Sequence, residues 1–384
     1  MIYLDNCATT RPRAEVIETV LRTMKDDFGN PSSLHRLGHI AEKLIKESRI
    51  KVADFLRVQT NEIFFTSGGT ESNNIALQGL IRARSNRGKH IVSTSIEHPA
   101  VMNTLKAMER EGYLVSWLKS DQFGRIDIEE LRSSLRSDTI LVSVIHVNNE
   151  IGIIQDIETI GNVIRESESK PHLHLDGVQS FGKIPVSLKA WGVDSYAFSG
   201  HKINGPKGIG GLYLSTKSHI LPLIFGGNQE RGLRSGTENV PGIVGLSSAL
   251  DLISGDFVLE TLHVEKLKRL MIEILTDNIT EISINSPLNS LFSPYILNIS
   301  IPGTRGEIMV HTLEDQGIYV STTSACSSKG FGKSHVLQAI NLDDICIEGT
   351  LRISFSWENT EDDIRIAAGE IIAAAKEIRS IMRR

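Results

Sequence analysis

Between about Asn61 and Ser215, short apolar runs recur at crossover-sized intervals: "EIFFT", "HIVSTS", "ILVSVIHV", "LHLD", "SYAFS" and "GIGGLYLS". Runs of this length, rich in β-branched and aromatic residues, read as strands buried on both faces. Longer periodic segments between several of them, such as "ESNNIALQGLIRAR", read as helices. The alternation predicts an α/β domain with a mostly parallel sheet flanked by helices. In such a sheet a ligand lies beyond the carboxyl ends of the strands.

After about Leu250 the pattern changes to "YILNISI", an amphipathic "GEIMVHTLEDQG" and "LRISFSW". A closing helix is expected from Glu361 to Met382, with Thr360 as N-cap, Glu361, Asp362 and Asp363 favoured by the dipole in its first turn, and Arg379, Arg383 and Arg384 at its far end. This half reads as a smaller α+β domain. The expected division is a large domain over 15–254 and a small one made of 1–14 with 255–384. No repeat or low-complexity tract interrupts either.

The 384 residues carry 41 Lys and Arg against 46 Asp and Glu, a formal charge of −5. No global positive field exists to hold nucleic acid, so no direct nucleic-acid binding is expected. "MIYLDNCATTRP" lacks a basic-then-apolar signal, and no run reaches the ~18 uninterrupted apolar residues of a membrane span. The expected location is cytoplasmic, without membrane attachment. Three cysteines, Cys7, Cys326 and Cys346, show no paired metal spacing, so neither a disulfide framework nor a metal site is expected.

"TSGGTESNN" follows a strand and opens a helix. Gly68 and Gly69 let backbone N–H groups approach an anion at the positive helix end, with the Thr70 hydroxyl beside them; the alternative is a plain strand–turn–helix junction. Asp176, at the end of "LHLD" and three residues before Gln179, reads alone as a turn residue. If buried, it needs a cationic or hydrogen-bonding partner, such as a protonated heterocycle. Lys202 in "SGHKINGPKG" follows a strand; desolvation and nearby positive charge would leave it a neutral amine able to form a Schiff base, whereas its rival Lys207 sits in the turn. These parts together suit pyridoxal 5'-phosphate. His98 in "SIEHPAV" is either a helix cap or a ring stacked on that cofactor. Cys326 in "STTSACSSKGFGKS" has no hydrophobic pattern to bury it, and Lys329 and Lys333 are placed to favour its thiolate. Cys346 in "LDDICIEG" is expected to be buried.

As a set, "YLDNCATTRP", "FGNPSSLHRLG", "FTSGGTESNN", "EHPAV", "HVNNEIG", "HLDGVQS", "SGHKINGPKGIGGLY", "RSGTENVPGIVG", "SACSS" and "LRISFS" resemble the cysteine desulfurases, the NifS-like branch of fold-type I pyridoxal phosphate enzymes, over nearly the whole chain. The resemblance implies that Lys202 carries the cofactor aldehyde, Asp176 meets the pyridine nitrogen, Gln179 meets the phenolic oxygen and His98 stacks over the ring. Thr70, Ser199, His201 and the Gly69 N–H would hold the phosphate. Thr237 would reach the phosphate of a neighbouring subunit, which implies a homodimer. Arg352 would clamp the substrate carboxylate, assisted by Asn148 and Asn30. Cys326 would accept sulfur from L-cysteine and release L-alanine, passing the persulfide to a sulfur-acceptor protein in iron–sulfur assembly, tRNA thiolation or DNA phosphorothioation. An aminotransferase, a selenocysteine lyase and a noncatalytic pyridoxal phosphate protein are the alternatives; Cys326 and Arg352 favour desulfuration. The resemblance implies that housekeeping members engage a scaffold protein through a tail beyond "IMRR", so docking of that kind is not expected here.

Overall fold

The computed structural model describes residues 1–322 and 333–382. Among them the strands are β1 (Ile2–Tyr3), β2 (Ile63–Thr66), β3 (His90–Thr94), β4 (Leu114–Leu118), β5 (Thr139–Ile145), β6 (His172–Asp176), β7 (Ser195–Ser199), β8 (Gly210–Leu214), β9 (Ser283–Ile284), β10 (Ile296–Ser300), β11 (Ile318–Tyr319) and β12 (Thr350–Ser354).

A seven-stranded sheet has the order β2-β8-β7-β6-β5-β3-β4. Strand β8 runs antiparallel to both neighbours, and the other pairings are parallel. Strands β2 and β7 therefore point the same way. The carboxyl ends of β2, β3, β5, β6 and β7 share one edge. Strands β3, β5, β6, β7 and β8 are buried along their whole length, as helix cover on both faces requires. Strands β2 and β4 are the edges, and β4 leaves Leu114 exposed.

One core beneath this sheet gathers Val142, Leu173, Leu175, Tyr196, Phe198 and Phe181, with the Phe181 and Phe198 rings stacked at 4.3 Å. Each such buried side chain contributes roughly 1.5–3 kcal/mol of transfer free energy. A second core joins Leu4 and Cys7 to Leu297, Ile353 and the helix Glu361–Met382. That helix has its expected cap: the Thr360 hydroxyl accepts from Asp363 N at 3.1 Å, and the Asp363 carboxylate accepts from Thr360 N at 2.9 Å.

The helix Val240–Asn278 belongs to both cores, Val240 to Ile253 in the first and Val264 to Leu275 in the second. The boundary expected at 254–255 thus falls inside a continuous helix. Gly255 does not break it, because the packing at both ends outweighs the propensity of one exposed glycine. By length and composition this helix is apolar enough to cross a membrane, with a window of mean hydropathy 1.5, but half of that window is buried inside the protein.

The amino-terminal segment runs from β1, paired with β11, along β12 through the Asp5↔Ser354 bridge. It then reaches the turn after β7, where Thr10 N donates to the His201 carbonyl at 2.8 Å. It thereby lines the gap between the large sheet and the three-stranded sheet β12-β10-β9.

Candidate active site

Strand β7 ends at Ser199, and a 3-10 turn over Gly200–Lys202 carries the next residues across the sheet edge. Lys202 is half-buried; its Nζ donates to the carbonyls of Cys7 and of Ala8, the latter at 2.8 Å. Lys207 is exposed. Of the two lysines, Lys202 is the one in the cleft. His201 lies beside Thr9 Oγ1 at 3.2 Å. Burial, with Lys202, Lys207 and Lys183 near, pushes its pKa down to about 4, so its imidazole is neutral.

Strand β2 ends at Thr66, and the chain enters the helix Gly69–Ala83 through Gly68, whose φ of 153° suits glycine alone. Strand β8 packs close behind it: a Cβ on Gly210 would lie 2.6 Å from the Gly68 Cα. The Ser199 hydroxyl is buried and finds no hydrogen-bond partner among the described residues, and it stands 3.7 Å from where a Cβ on Gly68 would be. A helix N-terminus, a glycine cradle and an orphaned donor therefore meet at one point, which suits an anion. Thr70 is exposed in the helix's first turn. Thr237 is also exposed, in a loop tied to that turn by the Arg234–Glu71 pair at 2.8 Å.

At the end of β6, Asp176 is buried and accepts from Asn73 Nδ2 at 2.8 Å and from Val178 N at 3.0 Å. Gln179 donates to the Cys7 carbonyl at 3.0 Å and accepts from the buried Lys183 at 3.2 Å. Burial lowers the Lys183 pKa. His98, after β3, is the N-cap of the helix Pro99–Arg110, with proline in the first turn. Its Nδ1 accepts from Ala100 N at 3.1 Å, which leaves the proton of the neutral ring on Nε2. Burial lowers its pKa, Asp176 opposes that, and Lys202 and His335 add to it. The ring is thus a helix cap whose other nitrogen remains available.

Glu97, just before it, is buried, and its Oε1 accepts from Thr94 Oγ1 and from Ile145 N, both at 2.8 Å. Burial holds its pKa well above the usual carboxylate range, and Asp176 pushes the same way. The Glu97 carbonyl accepts from His335 Nε2 at 2.9 Å.

Arg352 is buried on β12; it donates to Asp5 Oδ1 at 2.7 Å and to the Asn149 carbonyl at 3.2 Å. Glu150 next to it accepts from the Ser334 hydroxyl. Its pKa is raised to about 7 by burial, against the Ser334 hydrogen bond and Arg352. Asn148 is fully buried, and its amide holds the turn itself, donating to the Ile96 carbonyl at 2.9 Å and accepting from Glu150 N at 2.8 Å and Ile151 N at 3.0 Å. Asn30 is exposed in the loop before the helix Arg36–Leu56, where its side chain accepts from Ser32 N at 2.9 Å. The chain therefore brings Lys202, Asp176, Gln179, His98, Ser199, His201, Gly69, Arg352 and Asn148 around one cleft; Asn30, Thr70 and Thr237 are exposed, Thr70 beside the buried Gly69 at the cleft's glycine turn.

Cys326, with Lys329, lies outside the described residues. Lys333 pairs with Asp344 at 2.6 Å, so its charge is engaged on the helix Asp344–Glu348. Cys346 on that helix is half-buried, not buried as expected; partial burial and Asp343 raise its thiol pKa. Cys7 is the buried one. Asp5, Glu97, Glu150, Lys183 and the Cys7 carbonyl all escape sequence reasoning, although "YLDNCATTRP", "EHPAV" and "HVNNEIG" hold most of them.

Residues 2–366 match the family model described as Aminotransferase class-V. A protein named cysteine desulfurase IscS from Methanosarcina thermophila is 42% identical, covering 94% of this chain and 89% of its own. A solved structure described as a NifS-like protein superposes with TM-score 0.92 at 38% identity, covering 97% of this chain and 98% of its own. One described as SspA in complex with cysteine gives 0.83 at 33%, covering 94% and 100%. With its strand-end lysine, aspartate and glycine cradle in one cleft, the chain belongs to the class-V aminotransferases, in their NifS/IscS-like cysteine desulfurase branch.

Proposed function

We propose that this protein takes L-cysteine, bound through pyridoxal phosphate, and moves its sulfur onto Cys326 with release of L-alanine. The cleft fits the cofactor: the orphaned Ser199 hydroxyl and the Gly68–Gly69 cradle suit its phosphate, and Asp176 lies at the edge where the ring would lie. When bound, the cofactor supplies an electron sink that labilises the α-proton and then the Cβ–S bond of an attached amino acid.

In this reading Ser199, Thr70, His201 and the Gly69 N–H hold the phosphate, and Asp176 and Gln179 face the ring nitrogen and phenolic oxygen. Lys202 would hold the aldehyde, and its amine would be placed to move the α-proton, with His98 Nε2 able to share that work. Arg352 receives the substrate carboxylate in a bidentate fork. The Cys326 thiolate forms an S–S bond to the substrate sulfur as the Cβ–S bond breaks, and the electron pair left on Cβ takes a proton. The persulfide passes to an acceptor protein. Exposed Phe28 and Leu34, together with exposed Thr237, support a homodimer in which Thr237 completes the partner's cup.

The observation that carries the reading is the amino-terminal segment. Its Cys7 carbonyl accepts from both Lys202 and Gln179, and its Asp5 holds Arg352, so one short segment joins the cofactor side to the substrate side. The test incubates the purified holoprotein with L-cysteine, following alanine, sulfide and added mass on Cys326. C326S is expected to keep the yellow cofactor band and yield no persulfide. Full turnover by C326S would refute the assignment.

A further inference from the structure

Strand β6 reads His-Leu-His-Leu-Asp, so His172, His174 and Asp176 share one face while Leu173 and Leu175 enter the core on the other. A polar stripe on a fully buried strand must find partners. It finds them in series. Asn73 Nδ2 donates to Asp176 Oδ2 at 2.8 Å, and Asn73 Oδ1 lies 2.9 Å from His174 Nε2. His174 Nδ1 lies 2.8 Å from Ser195 Oγ, which in turn lies 2.8 Å from His172 Nε2. The far nitrogen of His172 faces Ser218 Oγ at 3.5 Å and Asp194 at 3.9 Å. His172, His174 and Ser195 are wholly buried, and Asn73 is nearly so.

The chemistry of each atom fixes the sense of the chain. The Asp176 carboxylate accepts, so the Asn73 amide presents its oxygen to His174, and His174 Nε2 must carry the proton. A neutral His174 then offers its Nδ1 lone pair to the Ser195 hydroxyl, whose oxygen accepts from His172 Nε2–H. Burial favours neutral rings, with the His174 pKa down to about 3 and that of His172 also well down.

We propose that His172, Ser195, His174 and Asn73 form a one-way hydrogen-bond relay that orients the Asp176 carboxylate and tunes its grip on the cofactor's ring nitrogen. They are positioning residues, since only Asp176 would touch the ring. Aligned donors polarise one another, so a cut far from Asp176 is felt there. The inference rests on the reading that Asp176 faces the ring nitrogen.

The test uses holoprotein carrying cofactor labelled with 15N in its ring, and apoprotein labelled with 15N in its histidines. Ser195→Ala breaks the relay two links from Asp176. It is expected to move the ring-nitrogen resonance toward the unprotonated value and to weaken cofactor binding about tenfold, the change expected when roughly one hydrogen bond's worth of support is lost. H174Q keeps one donor toward Asn73 and one acceptor toward Ser195, and should stay within about twofold of wild type. If S195A does not fold, H172L cuts the far end and should shift the resonance in the same direction. In the apoprotein, His174 should show the Nε2–H form. An unshifted resonance and unchanged affinity in folded S195A or H172L, an H174Q as impaired as S195A, or an Nδ1–H His174 would each overturn the relay. Wild-type protein that takes up no cofactor would instead overturn the reading of Asp176, and the apoprotein tautomer would still judge the hydrogen-bond directions.

Discussion

Replacing Glu150 with glutamine removes one titrating group and keeps its shape. The wild-type carboxyl is 6% exposed, accepts from Ser334 and lies near Arg352, yet burial dominates and lifts its pKa from an ordinary 4.5 to about 7. A raised pKa means that the folded protein prefers the neutral acid. The stability this contributes is fully present below 4.5 and is lost as pH rises through about 7. At about 1.36 kcal/mol per pH unit, the interval corresponds to roughly 3 kcal/mol. Glutamine does not titrate, so the stability of wild type relative to E150Q should fall by most of that amount between about pH 5 and about pH 8. Urea unfolding of both apoproteins, followed by tryptophan fluorescence across this range, measures it, because every other titrating group is common to the pair and cancels. Parallel stability curves would show that the carboxyl is already ionised in the folded protein at low pH, and the reasoning would fail.

Arg352→Lys keeps the charge but loses the planar fork, and should raise KM for L-cysteine about 10- to 100-fold in steady-state assays with little change in fold. Gly69→Ala sets a Cβ 2.3 Å from Val178 Cγ2 at the mouth of the cradle, so equilibrium titration should show weaker cofactor binding with apoprotein still folded. Lys268 is wholly buried, with its ammonium 3.1 Å from the Ser293 carbonyl and its pKa lowered to about 7 by burial. A lowered lysine pKa gives stability that is present above 10.5 and lost as pH falls through about 7. Lys268→Met should therefore gain on wild type by a few kcal/mol, on the order of 1.36 per pH unit, as denaturation is moved from about pH 10 to about pH 7. A constant gap would count against a neutral Lys268.

Much of the large sheet was legible because its strands are buried on both faces and stand out as apolar runs: β2, β3, β7 and β8 lie within the segments their hydrophobicity marks, and β5 and β6 begin one residue before theirs. Strand β4 was not, since an edge strand with a half-exposed face carries a mixed pattern. The antiparallel insertion of β8 between β2 and β7 also leaves no trace in periodicity, which reports faces and not neighbours. Within the cleft, Lys202, Asp176 and His98 were readable because each ends or follows a strand and has a side chain of distinctive chemistry. The Cys7 and Ala8 carbonyls that hold Lys202 were not, because every residue has a carbonyl and only tertiary structure chooses which one serves. Glu97 and Glu150 sit inside recognisable motifs, but their raised pKa comes from burial, which only the tertiary structure sets. The long helix Val240–Asn278 was read as a boundary for a related reason: a local change in composition says nothing of packing at both ends.

The amino-terminal segment has one more consequence, for timing. Asp5 and Arg352 are 347 positions apart, and Cys7 and Lys202 are 195 apart. The segment that carries Asp5 and Cys7 must wait for β12, made 347 positions after Asp5, before both ends of the cleft can close, and such distant closures come late in folding. A nascent chain stalled short of β12 therefore carries its lysine without the arginine that anchors Asp5, and the two sides of the cleft stay unjoined until that strand is made.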